Sequence, residues 1–260
     1  MNKPTSKRKA GNQQTTLRKF QTLHHRMGVV SALFVLLLSF TGLVLHHGSS
    51  LGLDSQFITS SPLLNWYNIE VPGITLSYTA GNRRASIIEQ AIYFDDAMLP
   101  GSYNNLAGIV ESEFGFVIAT NNRLILLTEQ GELVEVLASV NGVPAGITAI
   151  GVGVGVGGVA ILDSAAGLVQ ANLDSLRWEA VVDAGIVDNW SAASTVPEGL
   201  EAAIREHYRS TLLSVERLVL DLHSGRIFGA AGALLVDIMA VLFMLMAATG
   251  VWIWLRRRSE

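Results

Sequence analysis

Two long apolar runs, one near each end of the 260-residue chain, constrain its fold more than any other feature. Met27 to Leu45 contains no charged side chain, and a helical rise of 1.5 Å carries its nineteen residues across roughly 28 Å, enough for a hydrocarbon core. Ile227 to Leu255 is longer and holds a single acid, Asp237, so it spans with some tilt or begins outside the bilayer. Two transmembrane spans are expected. The basic flank of the first run also suits a secretory signal peptide, but the run exceeds a usual apolar region and no small-x-small cleavage site follows. An uncleaved anchor is the expectation.

Orientation follows from the cations. Lys3, Lys7, Arg8, Lys9, Arg18, Lys19 and Arg26 precede the first span and Arg256, Arg257 and Arg258 follow the second, which puts both termini in the cytoplasm. The segment between, 48–228, holds eight arginines, no lysine and twenty acids, a net charge near −12, and belongs on the other side. The overall charge of −4 conceals this split. An acidic middle argues against nucleic acid, and the basic ends suit an anionic inner leaflet.

With no cysteine in the chain, disulfides, iron–sulfur clusters, thiolate zinc sites and covalent c-type haem are excluded. Metal chemistry rests on histidine, carboxylate or methionine. Five of the six histidines lie at the rims of the spans, in "LHHRMG", "LVLHHG" and "DLHSGR", where axial ligands for a haem would be needed.

The middle reads as one mostly β-structured domain, a meander, sandwich or partial-propeller-like fold, giving an α+β membrane protein. Short apolar runs such as "FGFVIAT", "RLILLTE", "ELVEVL" and "GGVAILD" alternate with "TNN", "EQG" and "DSAAG" turns. A weak repeat aligns Phe116–Leu137 with Val159–Val181 at a spacing of 43 to 44 residues, about one propeller blade, and Ala85–Phe94 starts a poorer earlier copy. Two or three units do not close a propeller, so an open meander or sandwich is expected. In "GVGVGVGG" at 151–158 the glycines alternate with valine, which reads as a glycine-rich strand and not as a nucleotide fingerprint.

From Thr195 the pattern turns helical, with Pro197 in a first turn and Leu200, Ile204, Tyr208, Leu212 and Val215 on one face. Ser214 and Glu216 mark a break before "RLVLDLHSG", which carries His223 toward the membrane, and Gly225 adds looseness or a close contact. The expected segments are a basic cytoplasmic N-terminus (1–26), a first span (27–47), a periplasmic β-rich domain (48–194), an amphipathic approach helix (195–226), a second span (227–255) and a basic cytoplasmic tail (256–260).

The two ends, "LRKFQTLHHRMGVVSALFVLLLSFTGLVLHH" and "LLSVERLVLDLHSGRIFGAAGALLVDIMAVLFMLMAATGVWIWLRRR", resemble the PepSY-associated transmembrane helix family over about a third of the chain. The landmarks are His25, Arg26 and Gly28; Thr41, Gly42 and His47; Leu222 to Gly229; and a "TG" followed by two tryptophans. Larger members look like inner-membrane haem-b ferric reductases that release iron from siderophores. The resemblance therefore implies an oxidoreductase component with bis-histidine haem b at His25, His47 and His223, and nothing for His24, His46 or His207.

Helical geometry bears on that implication. His25 and His47 lie 22 residues apart, which returns them to within about 40° on one face but about 33 Å apart along it, so they serve opposite leaflets. His47 and His223 share the outer leaflet and form a sound axial pair for a low-spin electron carrier. His25 has no partner histidine at its end of the second span. Either a homodimer supplies a second His25 to a shared haem, or His24 takes a strained role, or no inner haem exists. Arg26 and the nearby lysines suit haem propionates, and Gly28, Ala32, Ser39 and Gly42 form a small-residue stripe for close approach of a porphyrin or a helix.

Asp237 lies about 40° from the face of His223 near mid-bilayer, where it would orient a ligand, relay a proton, bond Ser39 or Thr41, or stay neutral and structural. His24, His46 and His207 read as headgroup-level residues. The absence of flavin or nicotinamide fingerprints means that any reductase activity takes its electrons from a quinol or another protein, and the resemblance implies ferric iron or a periplasmic acceptor. An anchored binding or sensory module, or an accessory subunit of a larger complex, is the alternative.

Overall fold

The computed structural model describes residues 5–113, 115–153, 159–173, 175–182 and 184–258. Lys3 and the glycine run 154–158 lie outside the described residues, as do the side chains of Lys7, Arg8, Lys9, Arg18, Lys19 and Arg256 to Arg258. Two compact units are present, 1–69 with 210–260 and 70–209.

The first unit is helical. Helix α1 (Thr5–His46) merges the basic N-terminal segment and the first apolar run, so no helix end separates them. Residues 48–69 join this unit rather than the β-domain expected to begin at 48, with Leu53 and Leu64 buried and a short helix α2 (Ser61–Trp66) between turns. Gln56, Ile58 and Leu53 exchange backbone hydrogen bonds with the segment Leu213 to Glu216. The stretches His24–His46 and Arg226–Leu255 are long and apolar enough to cross a membrane.

The second unit is three antiparallel meanders. Strands β1 (Leu76–Ala80), β2 (Arg83–Ile88), β3 (Ala91–Phe94) and β4 (Ala97–Met98) form the first sheet, and β5 (Gly108–Ser112), β6 (Gly115–Ala119), β7 (Leu124–Leu127) and β8 (Leu133–Leu137) form the second. The third contains β9 (Ala149–Gly153), β10 (Val159–Ser164), β11 (Gly167–Asn172) and β12 (Arg177–Ala180), with β13 (Val187–Trp190) paired to the free edge of β9. The repeat expected from the sequence is present: Phe116–Leu137 supplies β6 to β8 and Val159–Val181 supplies β10 to β12, three consecutive antiparallel strands each, and Ala85–Phe94 lies in β2 and β3 of the first sheet.

Strand periodicity explains the stacking. Phe116 and Ile118 of β6 join Ile87, Ile92 and Phe94 of the first sheet in one apolar cluster, whereas Val117 and Ala119 join Ile150, Ala160 and Leu162 of the third in another. The middle sheet is thus buried on both faces, which is why "FGFVIA" is apolar without alternation.

Helix α3 (Glu198–Ser210) covers the outer face of the first sheet, with Leu200, Ile204 and Tyr208 packed against Ile88, Ala91 and Tyr93. The approach segment expected over 195–226, with its break at Ser214 and Glu216, forms two helices. Ser214 caps the second, α4 (Val215–His223), its Oγ accepting from the backbone N–H of Arg217. Helix α3 thereby belongs to the β-unit and α4 to the helical unit.

Tyr93 is fully buried beneath α3, and its hydroxyl shares a hydrogen bond of 2.8 Å with His207 Nδ1. His207 therefore sits against the β-sheet. Burial, and secondarily Tyr208, pushes the Tyr93 phenol up to about 12. Because this folded value lies above the unfolded one near 10, Tyr93 contributes stability in full below about pH 10 and loses it as pH rises toward about 12. Unfolding of the wild-type chain and Tyr93→Phe at pH 8 to 12, followed by circular dichroism, is expected to show a shallower alkaline loss in the variant. Parallel curves would contradict this assignment.

Candidate functional site

The last turns of the helical unit bring α4 back against α1. Helix α5 (Gly229–Arg258) follows a short 3-10 turn at Arg226–Phe228, and Trp66 Nε1 donates to Ile227 O at 2.7 Å, tying this elbow to the end of α2. His223, the last residue of α4, lies against the α1 pair Thr41 and Gly42. Its Nδ1 is 2.8 Å from Thr41 Oγ1, and its Cε1 is in contact distance of the place a side chain on Gly42 would fill.

The hydrogens in this contact can be assigned. Thr41 is buried in the last turns of α1, and its hydroxyl donates to Leu37 O at 2.8 Å. With that hydrogen committed, the hydroxyl oxygen accepts from His223 Nδ1–H, so the neutral ring carries its lone pair on Nε2. This is the arrangement found in metal-ligating histidines, where one ring nitrogen is fixed by a hydrogen bond and the other binds.

The same construction recurs between α1 and α5, with α1 now supplying the histidine. His24 of α1 lies 3.2 Å through Nδ1 from Thr249 Oγ1 of α5, and Thr249 donates to Leu245 O at 2.7 Å. Gly250 follows Thr249 as Gly42 follows Thr41, again with the histidine Cε1 beside it. Each apolar helix thus carries a Thr-Gly pair that receives a histidine from across the interface. The sequence shows both dipeptides, but their reciprocal pairing is a tertiary fact. His24, read from sequence as a headgroup residue, is half-buried and partnered, while the adjacent His25 and Arg26 are exposed.

His46 and His47 are exposed at the end of α1, with ring centroids 5.0 Å apart in an edge-to-face arrangement. Of the small-residue stripe, Gly28 faces Met246 and Gly42 faces His223, whereas Ala32 and Ser39 are exposed. Asp237 is exposed on α5, and the bond considered for it at Thr41 goes to His223. Ser31 is buried between the two ends of α1, and its hydroxyl has no hydrogen-bond partner among the described residues.

One cluster here was not legible as a site. Asp221, two residues before His223, is buried with its carboxylate 2.9 Å from Arg217 Nε one turn earlier, and Tyr67 lies beside it. The Tyr67 hydroxyl is pushed up by burial, then by the charge of Asp221. The i,i+4 spacing of Arg217 and Asp221 is visible in the sequence, but the burial is not.

No curated protein matches the chain. A solved structure of PorZ, described as an essential bacterial surface component of the type-IX secretion system of Porphyromonas gingivalis, is similar at 16% identity, with a TM-score of 0.31. The match covers 44% of this chain and 17% of that one. The model of the PepSY-associated TM region matches residues 2–257, nearly the whole length and both ends of the helical unit. The chain is a membrane protein of the PepSY-associated TM region family.

Proposed function

We propose that this protein is a haem-b electron-transfer component of a bacterial inner membrane, with both termini cytoplasmic and the β-rich unit periplasmic. The observation that carries the reading is the His223–Thr41 pair: it sets the imidazole tautomer so that Nε2 presents a lone pair at the rim of an apolar helix pair. His47 is the second imidazole of the donor set, exposed at the end of α1. The residues fit the group. Gly42 leaves the His223 ring edge uncovered by a side chain, and the buried, unpartnered Ser31 hydroxyl supplies a polar atom in the interface. Bound there, a b-type haem supplies a reversible one-electron carrier.

The chain's own contribution is orientation and exclusion. Thr41 holds His223 in one rotamer and one tautomer. His47 and His223 would hold the group, and a haem held by two imidazoles would supply electron transfer rather than oxygen chemistry. At the other end, His25 and Arg26 are exposed and accessible to a second copy of the chain, the arrangement a haem shared across a homodimer requires. The charge asymmetry supports the orientation, since the cations precede the first span and follow the second while the intervening segment is strongly acidic. The electron donor is a quinol or protein, and the acceptor is ferric iron or a periplasmic partner.

The visible spectrum of the purified full chain, with haem per chain measured by pyridine haemochrome, tests this directly. Reduced b-type bands at one haem per chain are expected, and an added half would indicate a haem shared across a dimer. A protein that stays colourless after expression with haem supplied would overturn the reading.

A further inference from the structure

Between Gly48 and Ile69 the chain carries a single charged residue, Asp54, among small uncharged polar residues and large apolar ones. This stretch is seated on the start of α4. Ile58 N–H donates to Leu213 O at 2.9 Å, while the N–H groups of Val215 and Glu216 donate to Gln56 O and Leu53 O. Its inner side is core, with Leu53, Leu64 and Leu213 buried. A segment bathed by water on its outer side would be polar there. Here large apolar side chains are left uncovered as well: Leu51 is 50% exposed, Phe57 45% and Trp66 63%, and Phe228 of the adjoining elbow is 64% exposed.

The depth of this patch follows from the contacts of α4. That helix runs back alongside α1, from Glu216, whose carboxylate lies 3.7 Å from the place a side chain on Gly48 would fill, to His223 beside Thr41 and Gly42. The two contacts are separated on the α1 side by roughly 9 Å of helical rise, so α4 ends inside the apolar stretch His24–His46. Trp66 donates to the carbonyl of Ile227, at the start of the second such stretch, Arg226–Leu255. Its exposed indole therefore stands where the second span meets the headgroups, the level at which tryptophan is enriched in membrane proteins. This continuity with the span selects the occupant. The lipid that surrounds Phe228 and the first turn of α5 reaches Trp66 as well, and an exposed apolar patch there marks a membrane contact.

We propose that residues 48–69 and α4 form a foot embedded in the boundary between headgroups and acyl chains, in the leaflet at the α4 end of the helix pair, with Phe57 and Trp66 in contact with bilayer lipid. The small uncharged polar residues around them suit the headgroup layer, and the near absence of charge lets the segment sit there at little cost. Such a foot fixes the depth of α4 and hence of His223. The inference rests on the membrane-spanning reading of α1 and α5 and is independent of haem.

The chain has no cysteine, so a single-cysteine variant carries one nitroxide spin label. Phe57→Cys and Trp66→Cys, as full chains in phosphatidylcholine nanodiscs, are read by collision of the label with oxygen, which partitions into lipid, and with a water-soluble nickel chelate. Leu36→Cys, exposed within the first span, and Val140→Cys, exposed in the β-unit, give the lipid and water limits. Labels at Phe57 and Trp66 are expected about 5–10 Å below the headgroup surface, the usual seat of an interfacial segment, with nickel collisions well below those of Val140→Cys. Nickel collisions at either position as frequent as in Val140→Cys would overturn the proposal. So would labels shielded from both reagents, the mark of a protein covering the patch. Phe57→Cys leaves the Trp66 hydrogen bond in place and carries the test if Trp66→Cys fails to fold. A water-exposed label in Leu36→Cys would remove the spanning reading and the foot together, whereas a lipid-exposed Leu36→Cys beside water-exposed labels at Phe57 and Trp66 would remove the foot alone.

Discussion

His223→Ala is expected to abolish the reduced b-type absorption of the purified protein and bring haem per chain close to zero. The substitution removes the one imidazole whose tautomer is set at 2.8 Å by a buried threonine within the helical unit's α1–α4 contact. On the proposed haem reading His47→Ala should also lose the low-spin bands, since it removes the second proposed ligand. Thr41→Val leaves the ligand present but removes its fixing partner, so haem affinity should fall by roughly 10- to 100-fold, the usual cost of losing a hydrogen bond behind a metal ligand. His207→Ala is the control, because His207 bonds Tyr93 within the β-unit and its loss should leave the spectrum as it was. A normal spectrum in His223→Ala would remove the axial assignment. A normal spectrum in Thr41→Val alone would remove only the orienting role.

Gly232→Val should destabilise the elbow between α4 and α5 and displace His223 with it. A side chain at Gly232 would run into Gly225 O and would meet Phe228 Cβ at 2.8 Å. Reciprocally, a side chain at Gly225 would run into Gly232 O and would meet Val236 Cγ2 at 2.9 Å. Two stretches of backbone touch here, and only hydrogen fits between them. Gly225 also has a φ of +75°, so a side chain there adds left-handed strain of about 1–2 kcal/mol to an overpacking cost of about 1–3 kcal/mol. Gly232 carries only the steric part. Gly225→Ala should therefore lose more stability than Gly232→Ala, and both should lower the midpoint of unfolding in denaturant titrations of the detergent-solubilised chain. A variant within about 0.5 kcal/mol of wild type, the range of an ordinary surface change, would show that the elbow relaxes around the new atoms. The sequence left Gly225 as either looseness or close contact, and close contact is what the elbow contains.

Much of the architecture was legible because it rests on local periodicity. The two spans follow from uninterrupted apolarity, and the sheets from short runs between turn residues. The weak repeat around Phe116 and Val159 marked two meanders correctly because each is a supersecondary unit with its own strand–turn rhythm. Ser214 showed the break before α4 because a serine ahead of a helical pattern is a local capping signal. The boundary at 48 was less legible. Leu53 and Leu64 are apolar, and a sequence does not say which core an apolar residue joins.

The histidines divide along the same line. That they sit at the rims of two spans, and that no cysteine competes with them, was determined by the sequence alone. Which of the adjacent pair His24–His25 turns toward the second helix depends on the rotation of α1 about its own axis, which packing against Met246 and Thr249 decides. His223 meets Thr41, 182 positions away, only because the glycine elbow lets α4 fold back against α1. Hydrophobic content and charge are properties of the chain and could be read from it. Tautomer and partner are properties of two helices brought together, and only the tertiary structure could supply them.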